Sequence, residues 1–318
     1  MIFIRQLILI LFVLRAAGEA TAAEPLHWPS LQPAQRVANA AEAPLLATAL
    51  AGKRVVAVGD HGVVLLSDDG ANFRQAKSVP VRAMLTTVQF LDARRGYAAG
   101  HDGVVLGTQD GGETWSLLRA TPGVEQPVLS LYFDSVEHGF AVGLYGWAIE
   151  TRDGGRTWAE RHIATGDDAD RHLYHVFASR QGTLLVAGEA GALYRSSDGG
   201  ATWSVAAVGG KGSLWYGTAL ADGTLLVCGM RGHLYRSRDD GQSWQEVRTH
   251  STQSLTGIAQ MADRSVVVAG MSGTVLRSID GGATFAPAQR PGREPITAVI
   301  AAGAKPPVFL SLAGLVAR

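Results

Sequence analysis

A single cysteine, Cys228, in 318 residues excludes an internal disulfide framework and any cysteine-rich metal site. It lies in an apolar run just before Gly229, where a thiol reads as a small buried hydrophobe. Charge is scarce as well: charged residues make up 18% of the chain, and 28 Lys and Arg balance 28 Asp and Glu. A neutral chain of this kind is no obvious partner for the phosphates of a nucleic acid. After residue 24 no stretch keeps helical periodicity over two or more turns, which sets helical repeats aside. No Gly-x-Ser-x-Gly elbow or phosphate-binding glycine loop stands in a strand-to-helix context. The one marked apolar run, Leu7 to Leu14, is too short to span a bilayer comfortably. With a basic residue before it, Arg5, and small residues at Ala20 to Ala23, it reads as an export signal over residues 1–23. Arg15 at its end leaves an uncleaved anchor as the alternative.

Glycine is what the chain has in abundance, 39 residues, and its spacing is regular. A Gly-x-x-Gly step, a short strand and then Ser/Thr-x-Asp-Gly-Gly-x-Thr-Trp recur along the sequence. The first glycines are Gly59, Gly100, Gly143, Gly188, Gly229 and Gly270, with Ser311 in the seventh place, at intervals of 41 to 45 residues. Within each unit the apolar runs are short and broken by turns, as in Thr183 to Gly188 and then Leu193 to Ser196. Four short strands per repeat of this length predict an all-β, seven-bladed β-propeller that occupies residues 24–318 as one domain.

The aromatic at the end of each unit gives an independent count. Phe73, Trp115, Trp158, Trp203, Trp244 and Phe285 make six, and the seventh unit reaches Arg318 before its aromatic. Trp28 is at comparable spacing from the following glycine. The expectation is that the N-terminal segment supplies the outer strand of the last blade, so that N- and C-terminal strands pair and close the ring.

The aspartates of the repeated turn, Asp69, Asp110, Asp153, Asp198, Asp239 and Asp280, read as turn-makers. An aspartate opening a tight turn accepts backbone N–H groups two or three residues on, and the glycines permit positive φ. A calcium loop needs more oxygen ligands before its glycine. His172-x-x-His175 has the look of half a zinc site, but residues three apart on a strand point to opposite faces, and no metal or cofactor is expected.

The motif Ser196 to Trp203 is similar to the Asp-box, or bacterial neuraminidase repeat. With seven units, paired glycine steps and an export signal, the chain resembles the photosystem II stability/assembly factor family. The resemblance implies a lumenal or periplasmic propeller without catalytic activity that helps a membrane complex assemble. In bacteria without photosystems it implies an accessory of a resistance-nodulation-division-type transporter. It also implies a monomer without an obligatory small-molecule ligand. The alternative is a sialidase-like glycoside hydrolase or glycan-binding propeller. Against it, the chain has no Arg-Ile-Pro segment and has seven units where sialidases have six. Tyr145 and Glu189, at the glycine steps, are the only residues that suggest a nucleophilic pair.

Two clusters are candidates for partner binding. Arg195, Arg236, Arg277 and Arg318 each fall four residues after the second glycine of a step, where earlier units have Leu66, Gly107 and Glu150. Such arginines either tie adjacent blades or, with Arg231 and Arg238, present guanidinium groups to acidic residues. Tyr174 and Trp215 stand 14 residues before their glycines, where other units have Leu45, Thr86, Leu129, Thr256 and Thr297. That places them at the start of inner strands, near Tyr145, Trp147 and Tyr216, either as contact anchors or as a plug in the channel. The longest interval adds residues between Ala159 and Arg171, a tolerated insertion or a grafted loop.

Overall fold

A computed structural model describes residues 28–290, 292–303 and 305–316. The export-signal residues and Arg318 lie outside the described residues. Seven antiparallel sheets follow one another along the chain. Their inner strands are Leu45–Ala51, Leu85–Phe90, Val128–Phe133, Leu173–Ala178, Leu214–Ala219, Leu255–Gln260 and Ile296–Ile300. Six sheets have four strands in simple sequential order, so the seven-bladed propeller expected from the repeat is the fold.

The second strand of each blade is sandwiched between two neighbouring blades. This is why it reads as an unbroken apolar run: all five residues of Leu184–Gly188, Leu225–Gly229 and Val266–Gly270 are buried. Alternate residues of that strand face opposite neighbours. The core is therefore a ring of interblade clusters, such as Phe140, Val142, Val176 and Val186 between the third and fourth blades.

Each Asp-Gly-Gly turn joins the third strand to the outer one. In the fourth blade Asp198 accepts hydrogen bonds from Thr202 N (2.9 Å) and Ser196 Oγ (2.7 Å), as well as from the Thr202 hydroxyl. Gly199 and Gly200 have φ of 70° and 88°, and Gly200 N donates to Ser196 Oγ (2.8 Å). The turn delivers Trp203 edge-on to Phe140 of the preceding blade, with centroids 6.2 Å apart. The box aromatic thus fills the cleft to the blade before it.

These hydrogen bonds hold the Asp153, Asp198 and Asp239 carboxyls at about 2, the Thr157, Thr202 and Ser243 hydroxyls contributing most. A carboxyl whose pKa is lower folded than unfolded stabilises the fold above its unfolded value near ~3.9 and loses that contribution as pH falls toward the folded one. Asp198→Asn is therefore expected to be less stable than wild type by a constant margin above pH ~4, and the margin should shrink between pH ~4 and ~2. Urea midpoints measured across that range check it; a margin unchanged at the acid end would contradict the assignment.

The expected pairing of the chain ends is corrected by the structure. Among the described residues the seventh blade has three strands, Ile296–Ile300, Val308–Ser311 and Gly314–Leu315, and no N-terminal strand joins them. Residues 30–37 run along the first blade instead. Ser30 O accepts from Arg82 N (2.7 Å) and Ala83 N (3.0 Å), Ala34 N donates to Val79 O (2.9 Å), and Gln75 bonds to Gln35 O and Val37 N. These bonds carry Trp28 to Gly123, where an added Cβ would lie 2.7 Å from the indole. The ring closes by side-to-side packing: Thr297 Oγ1 donates to Leu45 O (2.6 Å), and Leu45 and Leu65 cluster with Val308 and Leu310.

Candidate functional site

Every inner strand opens with a β-bulge. Tyr174 is the extra residue between Leu173, opposite Gly188, and His175, opposite Ala187. Trp215 is the same between Leu214 and Tyr216. Thr86, Leu129, Thr256 and Thr297 occupy this place in their blades. In the first blade it is Leu46, not Leu45, because the inner hairpin there is one residue shorter; Leu45 is fully buried. A bulge re-aims one side chain without disturbing the rest of the ladder. Here it gives each blade one residue at the wall of a central channel of about 510 Å³.

Three of the bulge residues lock blade to blade. The hydroxyls of Thr86, Thr256 and Thr297 donate to Val128 O, Ile296 O and Leu45 O of the following blade. Tyr174 keeps the link by a side-chain hydrogen bond with Ser213, and its partial burial raises the phenol pKa.

Around Tyr174 the aromatic groups are continuous. Tyr145 is 59% exposed at the tip of the third blade's glycine step, at φ 54°. Its ring meets His172 edge-on at 4.8 Å, and His172 meets Tyr174 at 6.2 Å. Tyr145 N donates to His172 Nδ1 (3.0 Å), and His172 N to Glu189 Oε2 (3.2 Å). Inside the channel His175 lies 4.3 Å from Tyr216 and 5.9 Å from Phe177. Gly217 N donates to His175 Nδ1 (3.2 Å), which leaves the proton on Nε2, and burial pushes the imidazole down to about 4. Burial likewise pushes Tyr216 up to about 12. Both rings are thus uncharged at neutral pH. The Nδ1 atoms of His172 and His175 are thus engaged separately, by Tyr145 N and Gly217 N.

Trp147 does not join this group. It packs among Val105, Val128 and Leu131, with the Arg119 guanidinium 5.4 Å from its ring centroid. His172, His175 and Arg119 were not singled out as contact residues from the sequence. The string His172-Leu-Tyr-His175 was the available signal, and it shows its meaning only once the bulge is known.

The arginine ladder lies elsewhere. Four antiparallel strands put the glycine steps and the inner-strand starts at one face of the ring and the Asp-Gly-Gly turns at the other. Arg195 Nε donates to Asp240 O (2.9 Å) and its Nη2 to Asp240 Oδ2 (2.9 Å), in the turn of the next blade. Arg236 Nε donates in the same way to Gly281 O (3.2 Å). Among the described residues Arg277 bonds within its own blade, to Asp263 Oδ2 (3.3 Å) and Ser265 Oγ. Arg238 is exposed in the fifth blade's Asp-Gly-Gly turn. Arg231, by contrast, is exposed in that blade's glycine step, on the aromatic face. The ladder and the aromatic rim are therefore not brought to one face.

In the third blade the ladder position holds Glu150, whose side chain is 3% exposed. Its carboxylate meets Arg161 and Arg152 at 2.6 Å and His138 Nε2 at 2.8 Å. Burial pushes the Glu150 pKa up, but the bonds to His138 and Arg161 outweigh it and the net shift is downward.

With this geometry in view, residues 120–251 match the family described as photosynthesis system II assembly factor YCF48. Over that segment the chain is similar to the photosystem II assembly factors. Among solved structures, YCF48 bound to D1 peptide superposes with a TM-score of 0.69 at 18% identity, covering 91% of this chain and 96% of that one. YCF48 from Cyanidioschyzon merolae gives 0.67 at 18% identity, covering 86% and 95%. The GH74 enzyme of Niastella koreensis gives 0.68 at 15%, covering 86% of this chain and 52% of its own. At these identities the likeness to the assembly factors and to the hydrolase is one of fold. No curated protein matches the chain.

Proposed function

We propose that this propeller is an exported, non-catalytic binding scaffold that holds an extended segment of a membrane protein while its complex assembles. The segment docks on the glycine-step face, across Tyr145, His172, Tyr174 and Trp215. The observation that carries this reading is the continuous aromatic line from an exposed tyrosine into the channel mouth. Exposed aromatic side chains on a rigid frame give large contact area at small entropic cost. YCF48, which shares the fold, is solved with a D1 peptide, and that supports an extended protein segment as the ligand class.

A photosystem or a transporter complex fits this role, and both require the chain to be exported. The N-terminus of the mature protein is then expected near Glu24. A glycoside hydrolase needs two carboxyl groups across its substrate. The described residues that line the channel include no Asp or Glu, so the hydrolase reading gains nothing there.

Affinity capture from solubilised membranes tests the proposal. A Tyr174→Ala/Trp215→Ala variant is expected to lose a captured membrane complex at least ~tenfold while its Tm stays within about 2 °C of wild type. A parallel variant with Arg195, Arg236 and Arg277 changed to alanine is expected to lower Tm through the broken interblade bonds of Arg195 and Arg236. Capture that depends on the arginines but not on the aromatics would move the docking site to the opposite face. Capture of no membrane protein by the wild type would refute the scaffold reading.

A further inference from the structure

One position of the inner strands is filled differently in two neighbouring blades. The residue that follows the bulge is small in five of them, Ala47, Thr87, Ser130, Gly257 and Ala298, but it is His175 in the fourth and Tyr216 in the fifth. In three successive blades this residue holds the next inner strand in place. Leu131 N donates to Thr87 Oγ1 (3.4 Å), Val176 N to Ser130 Oγ (3.1 Å) and Gly217 N to His175 Nδ1 (3.2 Å). A hydroxyl therefore suffices for this lock, and the imidazole carries one group beyond what it needs, the Nε2–H. The Tyr216 phenol is likewise larger than the place requires. Gly217 makes room for the sector: a Cβ there would lie 2.3 Å from the Phe177 ring.

Both rings line the central channel and neither is fully buried, so they border its open space. Among the described residues the His175 Nε2–H and the Tyr216 hydroxyl have no hydrogen-bond partner. Much of the remaining polar wall is committed to the frame. Thr48, Thr86, Thr256 and Thr297 donate to backbone carbonyls, and Gln89 bonds to both the N–H and the C=O of Phe133. The described residues that line the channel include no Asp, Glu, Lys or Arg. An ion entering it would leave water without meeting a counter-charge.

Resting on the docking of an extended segment at the rim, we propose that His175 and Tyr216 form a subsite inside the channel that receives one tyrosine side chain of that segment. Its ring packs against the aromatic sector of Phe177, Trp215 and Tyr216, and its oxygen accepts from the His175 Nε2–H and the Tyr216 hydroxyl. Other side chains satisfy only part of this chemistry. An aliphatic group or a phenylalanine leaves both donors unmet. A carboxylate meets the donors but is desolvated without a counter-charge, and an ammonium finds neither acceptor nor counter-charge. An amide meets the donors and forgoes the ring contacts.

The probe is p-cresol, the tyrosine side chain without its backbone, titrated into the full chain and followed by calorimetry and ligand-observed NMR. Weak but saturable binding is expected, with toluene at least ~threefold weaker for want of an acceptor, and with acetate and methylammonium not saturating. Two variants test the donors singly. His175→Ser keeps a hydroxyl for the lock, as Ser130 does, and removes the Nε2–H; Tyr216→Phe keeps the ring and removes the hydroxyl. Each is expected to weaken p-cresol about threefold to tenfold while Tm stays close to wild type. Saturating p-cresol should also lower capture of the membrane complex by the wild-type protein. Absence of saturable binding, toluene binding as well as p-cresol, or unchanged binding in both variants would overturn the proposal. Capture untouched by saturating p-cresol would overturn it too, since the subsite would then belong to a free phenolic molecule. Capture lost in the Tyr174→Ala/Trp215→Ala variant, with no p-cresol binding to the wild type, removes this subsite and leaves the docking face standing. Binding of p-cresol by a wild-type protein that captures no membrane protein removes the docking reading and the tyrosine assignment with it.

Discussion

Replacing Glu150 by alanine is expected to cost about 3 kcal/mol of stability and to lower Tm by roughly 5 °C or more. The carboxylate is buried, and it is the common partner of Arg161, Arg152 and His138. Removing it leaves Arg161 without its carboxylate partner and His138 with Asp134 Oδ2 alone, at 2.7 Å. Loss of one member of a buried ionic cluster costs more than the cluster contributes net, because the remaining groups keep their desolvation penalty. Arg152 is largely exposed and recovers solvation easily, so the cost falls mainly on the other two. Denaturant unfolding of wild type, Glu150→Ala and Glu150→Gln measures it. Glutamine keeps the shape and part of the hydrogen bonding, and should recover less than half of the loss. A change below ~0.5 kcal/mol in the alanine variant would mean that water already screens the cluster.

The second large effect is expected at Gly232. This residue has φ of 79°, and a Cβ there would lie 2.0 Å from Ser251 O, in the connection to the sixth blade. Alanine would meet two penalties together. A left-handed backbone costs a non-glycine residue about 1 kcal/mol, and relieving the overlap means shifting backbone that packs on both blades, about 1–3 kcal/mol more. A loss of about 3 kcal/mol is expected, with Tm again as the readout. Gly199→Ala is the control: φ is 70°, but nothing lies within 4 Å of its Cβ, so only the backbone term should appear. Equal losses at the two sites would show that close packing at the glycine step is not what the glycine provides.

The blade count and the turn geometry were legible because each rests on a local pattern repeated many times. The Ser196 to Trp203 string contains every group that the turn needs, so no distant residue had to be known. The arginine ladder was legible as a period but not as chemistry. Arg195 finds its partner 45 residues further on, in the next blade, and sequence spacing does not reveal which carbonyl that is. The bulges were hidden for a related reason. A bulge is a relation between two strands, so Tyr174 could be placed near a strand start but not identified as its extra residue. Trp28 satisfied a spacing rule and still went elsewhere, because Ser30 and Ala34 bond to the first blade's backbone and carry the indole away from the seventh.

The bulge ring has a consequence for how such a protein changes over time. Leu46, Thr86, Leu129, Tyr174, Trp215, Thr256 and Thr297 are one position written seven times. Each stands outside the regular pairing that holds its blade together, and the three threonines and Tyr174 also link to the next blade. Substitutions at Leu46, Leu129 and Trp215 can rewrite the chemistry of the channel mouth one sector at a time while the interblade core stays as it is. A propeller built this way separates the inheritance of its frame from the inheritance of its specificity, and relatives that share the first need not share the second.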